Sequence, residues 1–185
     1  MAQEIETKVL EVDVESIEKE LADLGAEKIQ ETRLVVDWYD FPTRKEGEEE
    51  WFLRIRSYVN SENKSVKSEV TWKARSDILG TARKHKEINF DIAEPEKLAD
   101  FFEEIGLEKY AHQEKDRVSF VYQNWQFDLD QYPSMPAFLE IEGHSEEHIK
   151  EAIGLLGLEN NKTWAKGERV LIQDVYNLDW YNMKF

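Results

Sequence analysis

Apolar and polar residues alternate with period two along most of this chain, the pattern of β-strands with two unlike faces. The alternation predicts strands over residues 3–10, 33–41, 51–59, 67–75, 83–91, 114–122, 125–132 and 137–143. Three segments switch to helical spacing. Val14 to Gly25 sets Val14, Ile17, Leu21 and Leu24 on one face. Glu94 to Gly106 opens on Glu94-Pro95 and turns Leu98, Phe101, Phe102 and Ile105 inward. Ser145 to Gly157 starts at an N-capping Ser145 and carries Ile149, Ile153 and Leu156. Proline near the start and glycine after the end are the usual punctuation of helices. A fourth, weaker helical stretch spans Gly167 to Tyr176, the run Glu46-Gly47-Glu48-Glu49-Glu50 reads as a solvated loop, and Asn60 to Ser65 reads as a turn. Eight strands with few helices predict an antiparallel α+β domain or a closed barrel occupying residues 1–185 as one unit.

Successive strand residues point to opposite faces, so the charged positions can be sorted. Glu4, Glu6 and Lys8 share a face in the first strand; Arg54 and Arg56 do so in the third; Glu69, Thr71, Lys73 and Arg75 in the fourth; Arg83, His85 and Glu87 in the fifth. Lys115 and Arg117 follow in the sixth, Asp128 and Asp130 in the seventh, Glu140 and Glu142 in the eighth. A sheet with its polar face in water accounts for any one such strand. Solvent faces, however, usually mix Ser, Thr, Gln and Lys, whereas these hold paired arginines and paired carboxylates. The signs are also segregated: the first, seventh and eighth strands are mostly acidic, the third, fourth and sixth mostly basic. An eight-stranded antiparallel barrel with its charged face inward and helices over parts of its apolar outside fits better.

Composition narrows the function. Hydrophobic residues make up 41% of the chain, with six Trp, seven Tyr and nine Phe, enough for a packed core. There is no cysteine, so disulfides, thiolate metal ligands and a cysteine nucleophile are excluded. The start, Met1-Ala2-Gln3-Glu4, has neither basic nor apolar region of a signal peptide, and no apolar run approaches the ~20 residues of a membrane span, so a cytoplasmic location is expected. A net charge of −16 repels nucleic acid and anionic lipid, and neither is expected as a partner. A homodimer is compatible with the sequence, which does not set the oligomeric state.

A charged lumen needs a ligand or ions to balance it, because unpaired buried charge is costly. Hard oxygen donors such as Glu4, Glu6, Asp128, Asp130, Glu140 and Glu142 suit Mg²⁺ or Mn²⁺. Arginines and lysines suit phosphate oxygens. Carboxylates facing cations is the layout of a metal–polyphosphate site.

These residues resemble the CYTH superfamily, named for CyaB adenylyl cyclase and thiamine triphosphatase and also called triphosphate tunnel metalloenzymes. Glu4-Ile5-Glu6-Thr7-Lys8 matches its E-x-E-x-K signature, and Asp37-Trp38-Tyr39-Asp40-Phe41, Leu53-Arg54-Ile55-Arg56, Thr71-Trp72-Lys73, Lys115-x-Arg117 and Asp130 with Phe138-Leu139-Glu140-Ile141-Glu142 follow in the family's order. The resemblance implies an eight-stranded antiparallel tunnel. It implies phosphate contacts from Lys8, Arg54, Arg56, Lys73, Arg83, Lys115 and Arg117, and one or two divalent ions on Glu4, Glu6, Asp130, Glu140 and Glu142, with Asp128 as an addition. Two departures stand out. His85 replaces the middle acid of the family's R-x-E-x-E strand and is read as a polar lumen or rim residue. The C-terminal Ser-Tyr pair is replaced by Ala165-Lys166-Gly167-Glu168-Arg169, read as a solvated helix end, and Trp164, Trp180 and Tyr181 are read as packing residues.

The activity this implies is metal-dependent hydrolysis of inorganic triphosphate or a small organic triphosphate such as thiamine triphosphate. A carboxylate such as Glu6 or a second metal would hold the attacking water, and Lys8 would position or activate it. Class IV adenylyl cyclase, converting ATP to cyclic AMP and pyrophosphate, ranks second, because the His-Phe pair often found before E-x-E-x-K is absent. A non-catalytic triphosphate-binding module ranks third, because anion binding alone needs no metal ligands.

Overall fold

The structure, a computed structural model, describes residues 3–45, 47–60 and 64–185, with side chains from Ile5 onward in the first strand. The strands are β1 (Gln3–Leu10), β2 (Glu27–Asp40), β3 (Trp51–Val59), β4 (Ser65–Ala74), β5 (Asp77–Leu79), β6 (Ala82–Asp91), β7 (Glu108–Tyr122), β8 (Trp125–Gln131), β9 (Phe138–Gly143), β10 (Thr163–Trp164) and β11 (Asn182–Met183). The helices are α1 (Val14–Leu24), α2 (Pro95–Glu104), α3 (Glu146–Leu155) and the single turn α4 (Glu168–Val170), which runs into a π-helical segment, Leu171–Val175. The expected fourth helical stretch is thus a mixed one, and the centre of the expected turn at Asn60–Ser65 lies outside the described residues.

Eight strands pair antiparallel in the order β1-β9-β8-β7-β2-β3-β4-β6, and β6 returns to β1, so the hydrogen bonding runs round a ring. The closing pairs are Gln3–Lys86, Glu4–His85, Ile5–Lys84 and Glu6–Arg83. Past Glu6 that edge of β1 is taken over by β10, which pairs Lys8 with Trp164 and Val9 with Thr163. This ring is the eight-stranded antiparallel arrangement expected from the alternation, and it matches the tunnel that the family resemblance implied.

The apolar outside of the ring is covered by helices. The faces of β1, β9, β8 and β7 that carry Val9, Ile141, Leu139, Leu129, Phe127 and Phe120 pack against Ile17 and Leu21 of α1 and Ile149, Ala152 and Ile153 of α3. Burying a side chain such as Leu21 fully is worth about 1.5–3 kcal/mol. Local signals set these helices. The Asp13 carboxylate accepts from Ser16 N at 2.8 Å, Gly25 closes α1 at φ +82°, and Ser145 Oγ accepts from His148 N at 3.1 Å. Helix α2 lays Leu98 and Phe102 over Tyr39, Ile55 and Val70. On β6 the outer residues Ile88 and Phe90 stay exposed, so the helices cover only part of the apolar surface. No helix is long and apolar enough to cross a membrane.

A third cluster sits inside the ring. Leu10, Leu34, Val36, Trp38, Ala111 and Phe138 pack with Leu171, Ile172, Trp180 and Met183 from the C-terminal segment, with Trp164 and Tyr181 against its edge. The period-two signal misses two stretches. β2 starts at Glu27 and β7 at Glu108, each well before the alternation begins: Glu27-Lys28-Ile29-Gln30-Glu31 is polar or exposed on both faces, and the buried face of β7 starts with Ala111 and the polar Gln113. Register bulges between Lys28 and Gln30 and between Trp38 and Tyr39 further break the pattern.

Leu171 is fully buried by a segment that belongs to no long element. Leu171→Ala is expected to lower unfolding stability by about 2–4 kcal/mol. Denaturant titration of the variant against the parent checks this.

Candidate active site

The inward side chains line one cavity of about 650 Å³. Arg54 and Arg56 come from β3, Lys73 from β4, Arg83, His85 and Glu87 from β6, Lys115 and Arg117 from β7, Asp128 from β8, and Glu140 and Glu142 from β9. Glu6, Lys8 and Asp130 lie just behind this lining, each at most 1% exposed. The side chain of Glu4, an expected metal ligand, lies outside the described residues. The remaining expected site residues therefore all face the same interior.

Register decides which of them meet. Glu6 sits opposite Glu142 and Lys8 opposite Glu140 across β1 and β9. One oxygen each of Glu6, Glu140 and Glu142 gathers within 4.8 Å of the others. Like charges directly opposite repel, and two cations offset this. Lys8 Nζ contacts a Glu140 oxygen and lies 3.3 Å from Glu6 Oε1. Arg83 Nε donates to Glu6 Oε1 at 2.6 Å, and its Nη2 contacts the same oxygen. Glu6 Oε2 is buried and accepts no hydrogen bond from the described residues.

The donor set fits Mg²⁺ or Mn²⁺. It consists of carboxylate oxygens only, spaced on the scale of ligands around one small cation, and it includes an acceptor left unused by the described residues.

Asp128 and Asp130 gather around Arg117, whose Nη2 also lies 3.5 Å from Glu140 Oε1. Arg117 donates from Nε to Asp130 Oδ1 at 2.6 Å, from Nη2 to Asp130 Oδ2 at 2.5 Å and from Nη1 to Asp128 Oδ2 at 2.5 Å. Ser119 Oγ donates to Asp128 Oδ1 at 2.6 Å, and Lys115 Nζ to Asp130 Oδ2 at 2.8 Å. The ladder explains this, since Asp130 lies opposite Arg117 and Asp128 opposite Ser119. Asp128 also stands opposite Glu140 across β8 and β9, but among the described residues it is Glu6, Glu140 and Glu142 that gather as metal-type ligands.

The cations differ in how they are engaged. Arg56 Nε lies 3.2 Å from Glu69 Oε1, an ion pair without hydrogen-bond geometry. Lys73 Nζ is 2.6 Å from Glu87 Oε2. Arg54 is ion-paired with no described carboxylate; its guanidinium lies 5.3 Å from the Trp38 ring, and its buried Nε has no hydrogen-bond partner among the described residues.

Four acidic residues join the site beyond those expected: Glu69, Glu87, Glu168 and Glu49, the last from the loop read as solvated but only 7% exposed. Glu69 and Glu87 share the faces of Lys73 and Arg83, so the alternation already placed them inward. Glu168 had no such signal, because it enters on a helical turn. Its Oε1 accepts from Lys115 Nζ at 3.0 Å and its Oε2 from the Tyr132 hydroxyl at 2.6 Å. Lys166 and Arg169, both expected at a solvated helix end, line the cavity; Lys166 stays exposed, and Arg169 Nη1 lies 2.5 Å from Glu49 Oε1. His85 is buried in the wall, with Nε2 3.5 Å from Glu87 Oε2.

These contacts set the protonation states. Burial raises the Glu140 pKa, but Lys8, Arg117, Lys115 and Arg83 pull it well below the usual carboxylate range. Burial likewise raises Glu6, and Glu140 adds to that, yet Arg83 and Lys8 bring the balance below normal. Burial and then Arg83 lower Lys8, but Glu140, Glu6 and Glu168 outweigh them, so Lys8 holds its proton more tightly than a free lysine. Burial raises Glu168, while Lys115 and Lys8 bring it down to about 2.

Carboxylates with lowered folded pKa values contribute stability above their unfolded pKa of about 4.3 and lose it as pH falls through the folded value. The melting temperature is expected to hold from pH 7 to about 5 and to drop steadily toward pH 2. Glu168→Gln should flatten part of that drop, as calorimetry across the pH series would show.

No protein-family model matches this sequence, and no curated protein matches it. Solved structures do. A candidate adenylate cyclase from Vibrio parahaemolyticus matches with a TM-score of 0.75 at 14% identity, over 93% of this chain and 99% of that one. The PH1012 protein from Pyrococcus horikoshii OT3 matches with a TM-score of 0.68 at 24% identity, over 86% of this chain and 94% of that one. HpAC1 from Hippeastrum, a candidate adenylyl cyclase with a dominant triphosphatase activity, matches with a TM-score of 0.68 at 14% identity, over 93% and 96%. At these identities the likeness is one of fold. This chain has the antiparallel tunnel fold of those proteins, consistent with the CYTH resemblance carried by its motifs.

Proposed function

We propose that this protein is a divalent-metal-dependent triphosphatase, hydrolysing inorganic triphosphate or a small organic triphosphate such as thiamine triphosphate in its tunnel. One juxtaposition carries this reading. Glu6, Glu140 and Glu142 gather within 4.8 Å at a cavity whose lining also includes Arg54, Arg56, Lys73 and Arg83. An anion site alone needs no gathered carboxylates, and a cation site alone needs no guanidinium wall.

Arg54 is the cation most ready for a phosphate oxygen, since no described carboxylate holds it. Arg56, Lys73 and Arg83 would share their carboxylate partners with further phosphate oxygens, the planar guanidinium groups taking two at once. Glu6, Glu140 and Glu142 would hold Mg²⁺ or Mn²⁺, which supplies charge neutralisation at the phosphates and a lowered pKa for a bound water. Lys8, fully protonated, cannot take a proton from water. It keeps Glu6 and Glu140 in place and offers its charge to oxygens that become more negative in the transition state. Glu6 Oε2, unused by the described residues, is the acceptor available to orient an attacking water or to meet the ion.

The decisive assay incubates the protein with tripolyphosphate, thiamine triphosphate and ATP under Mg²⁺ and Mn²⁺, scoring phosphate, pyrophosphate and cyclic AMP separately. Metal-dependent phosphate release is expected. Cyclic AMP with pyrophosphate from ATP would replace this reading with a cyclase, and binding without any product would make the protein a binding module. Glu6→Gln and Glu142→Gln are each expected to lower kcat by about a hundredfold or more; near-parental turnover in either would sink the assignment. Arg54→Ala, which removes a charged hydrogen-bond donor, is expected to raise KM by roughly ten- to a hundredfold with a smaller change in kcat, as steady-state kinetics would show.

A further inference from the structure

The carboxylate of Glu168 reaches the lumen from outside the barrel strands, and the chain fixes it from two sides. Immediately after it, Leu171 and Ile172 are fully buried in the inner apolar cluster. Next to it, Arg169 is tied to Glu49 in the loop between β2 and β3, at 2.5 Å. Its level in the tunnel follows from the ladder. Along β1 and β9 the inward pairs run Glu6–Glu142, Lys8–Glu140, then Leu10–Phe138. Glu168 binds Lys115 on the charged side of that boundary and Tyr132, a member of the apolar cluster, on the other. It therefore stands where the charged lumen meets its apolar filling.

We infer that Glu168 is a substrate-length determinant, a built-in anion that occupies Lys115 at the inner end of the cation row, so that the site accepts three phosphates and gains nothing from a fourth. This rests on the triphosphate reading above. Lys115 Nζ already serves two carboxylates, Asp130 at 2.8 Å and Glu168 at 3.0 Å. A further phosphate at this level would meet a cation already neutralised and a carboxylate held ionised by Lys115 and Lys8. In a site shielded from water that repulsion is screened far less than at a surface. The same contacts withdraw Lys115 from the set of phosphate-binding cations, although its K-x-R motif suggests that role. Arg54, at another part of the wall and without a carboxylate partner among the described residues, is left to carry it.

Titration calorimetry on the full chain with tripolyphosphate and tetrapolyphosphate, with and without Mg²⁺ and at early times before turnover, tests this. The parent protein should bind tetrapolyphosphate no more than about twofold tighter than tripolyphosphate. Glu168→Gln keeps the shape of the side chain and removes the charge, and should bind tetrapolyphosphate about tenfold tighter than tripolyphosphate. Glu168→Asp should keep the parental ratio, and Glu168→Gln combined with Lys115→Gln should lose the gain. An unchanged ratio in Glu168→Gln overturns the inference. So does a parent protein that already binds tetrapolyphosphate tenfold tighter, a comparison that stands even where a variant fails to fold. Failure of the parent to bind either ligand, with or without Mg²⁺, removes the triphosphate reading and this inference with it, a different outcome from binding both without discrimination by length.

Discussion

Charge compensation across neighbouring strands is the constraint on which the rest of this molecule depends. A ring of strands with an apolar outside must turn its other face inward, and here that face is charged. Ionised groups out of water persist only where opposite charges lie within reach. Lys8 between Glu6 and Glu140, Arg83 on Glu6 and Arg117 across Asp128 and Asp130 meet that requirement. Each of these pairs joins adjacent strands, or alternate positions on one strand. The register of the sheet is therefore also a register of charge. Slipping β1 by one residue against β9 would send its charged set outward and its apolar set into the lumen.

The same constraint sorts residues of one chemical type into different tasks. The five described carboxylates expected as metal ligands divide according to the donors within their reach. Glu6, Glu140 and Glu142 face one another and gather. Asp128 stands opposite Ser119 on one side and Glu140 on the other, and Asp130 opposite Arg117; hydrogen bonds from Arg117 and Ser119 make both aspartates fixed acceptors. A bidentate pair of this kind is rigid as well as strong. It leaves β7 and β8 as a nearly neutral wall, while Arg54, Arg56, Lys73 and Arg83 on β3, β4 and β6 remain the cationic one.

The C-terminal segment completes the interior. Where β6 leaves the edge of β1, β10 takes its place, and the chain then passes inside the ring. From there Glu168 joins the charged layer, and Leu171, Ile172 and Trp180 fill the apolar one. Filling one end of the tunnel with side chains from a single continuous segment avoids a void, and it brings a second carboxylate, beside Asp130, to Lys115.

Much of this was legible in the amino-acid order alone, because a β-strand imposes a strict period of two. That period placed Glu6, Lys8, Arg54, Arg56, Lys73, Arg83, Lys115, Arg117, Asp128, Asp130, Glu140 and Glu142 on inward faces, and the helix boundaries at Gly25, Pro95 and Ser145 followed from local capping chemistry. The starts of β2 and β7 were not legible: exposure on both faces erases the alternation over residues 27–31, and in β7 the inward positions before residue 114 are Ala111 and Gln113, only one of them apolar. Nor was the pairing of inward charges, because a period says which face a side chain takes and not which residue stands opposite. That depends on strand order and register, which long-range ladder bonds set. Glu168 lay furthest beyond reach. Its position comes from a short helical turn held by Leu171, Ile172 and the Arg169–Glu49 contact, and only packing between segments distant in sequence could put its carboxylate beside Lys115.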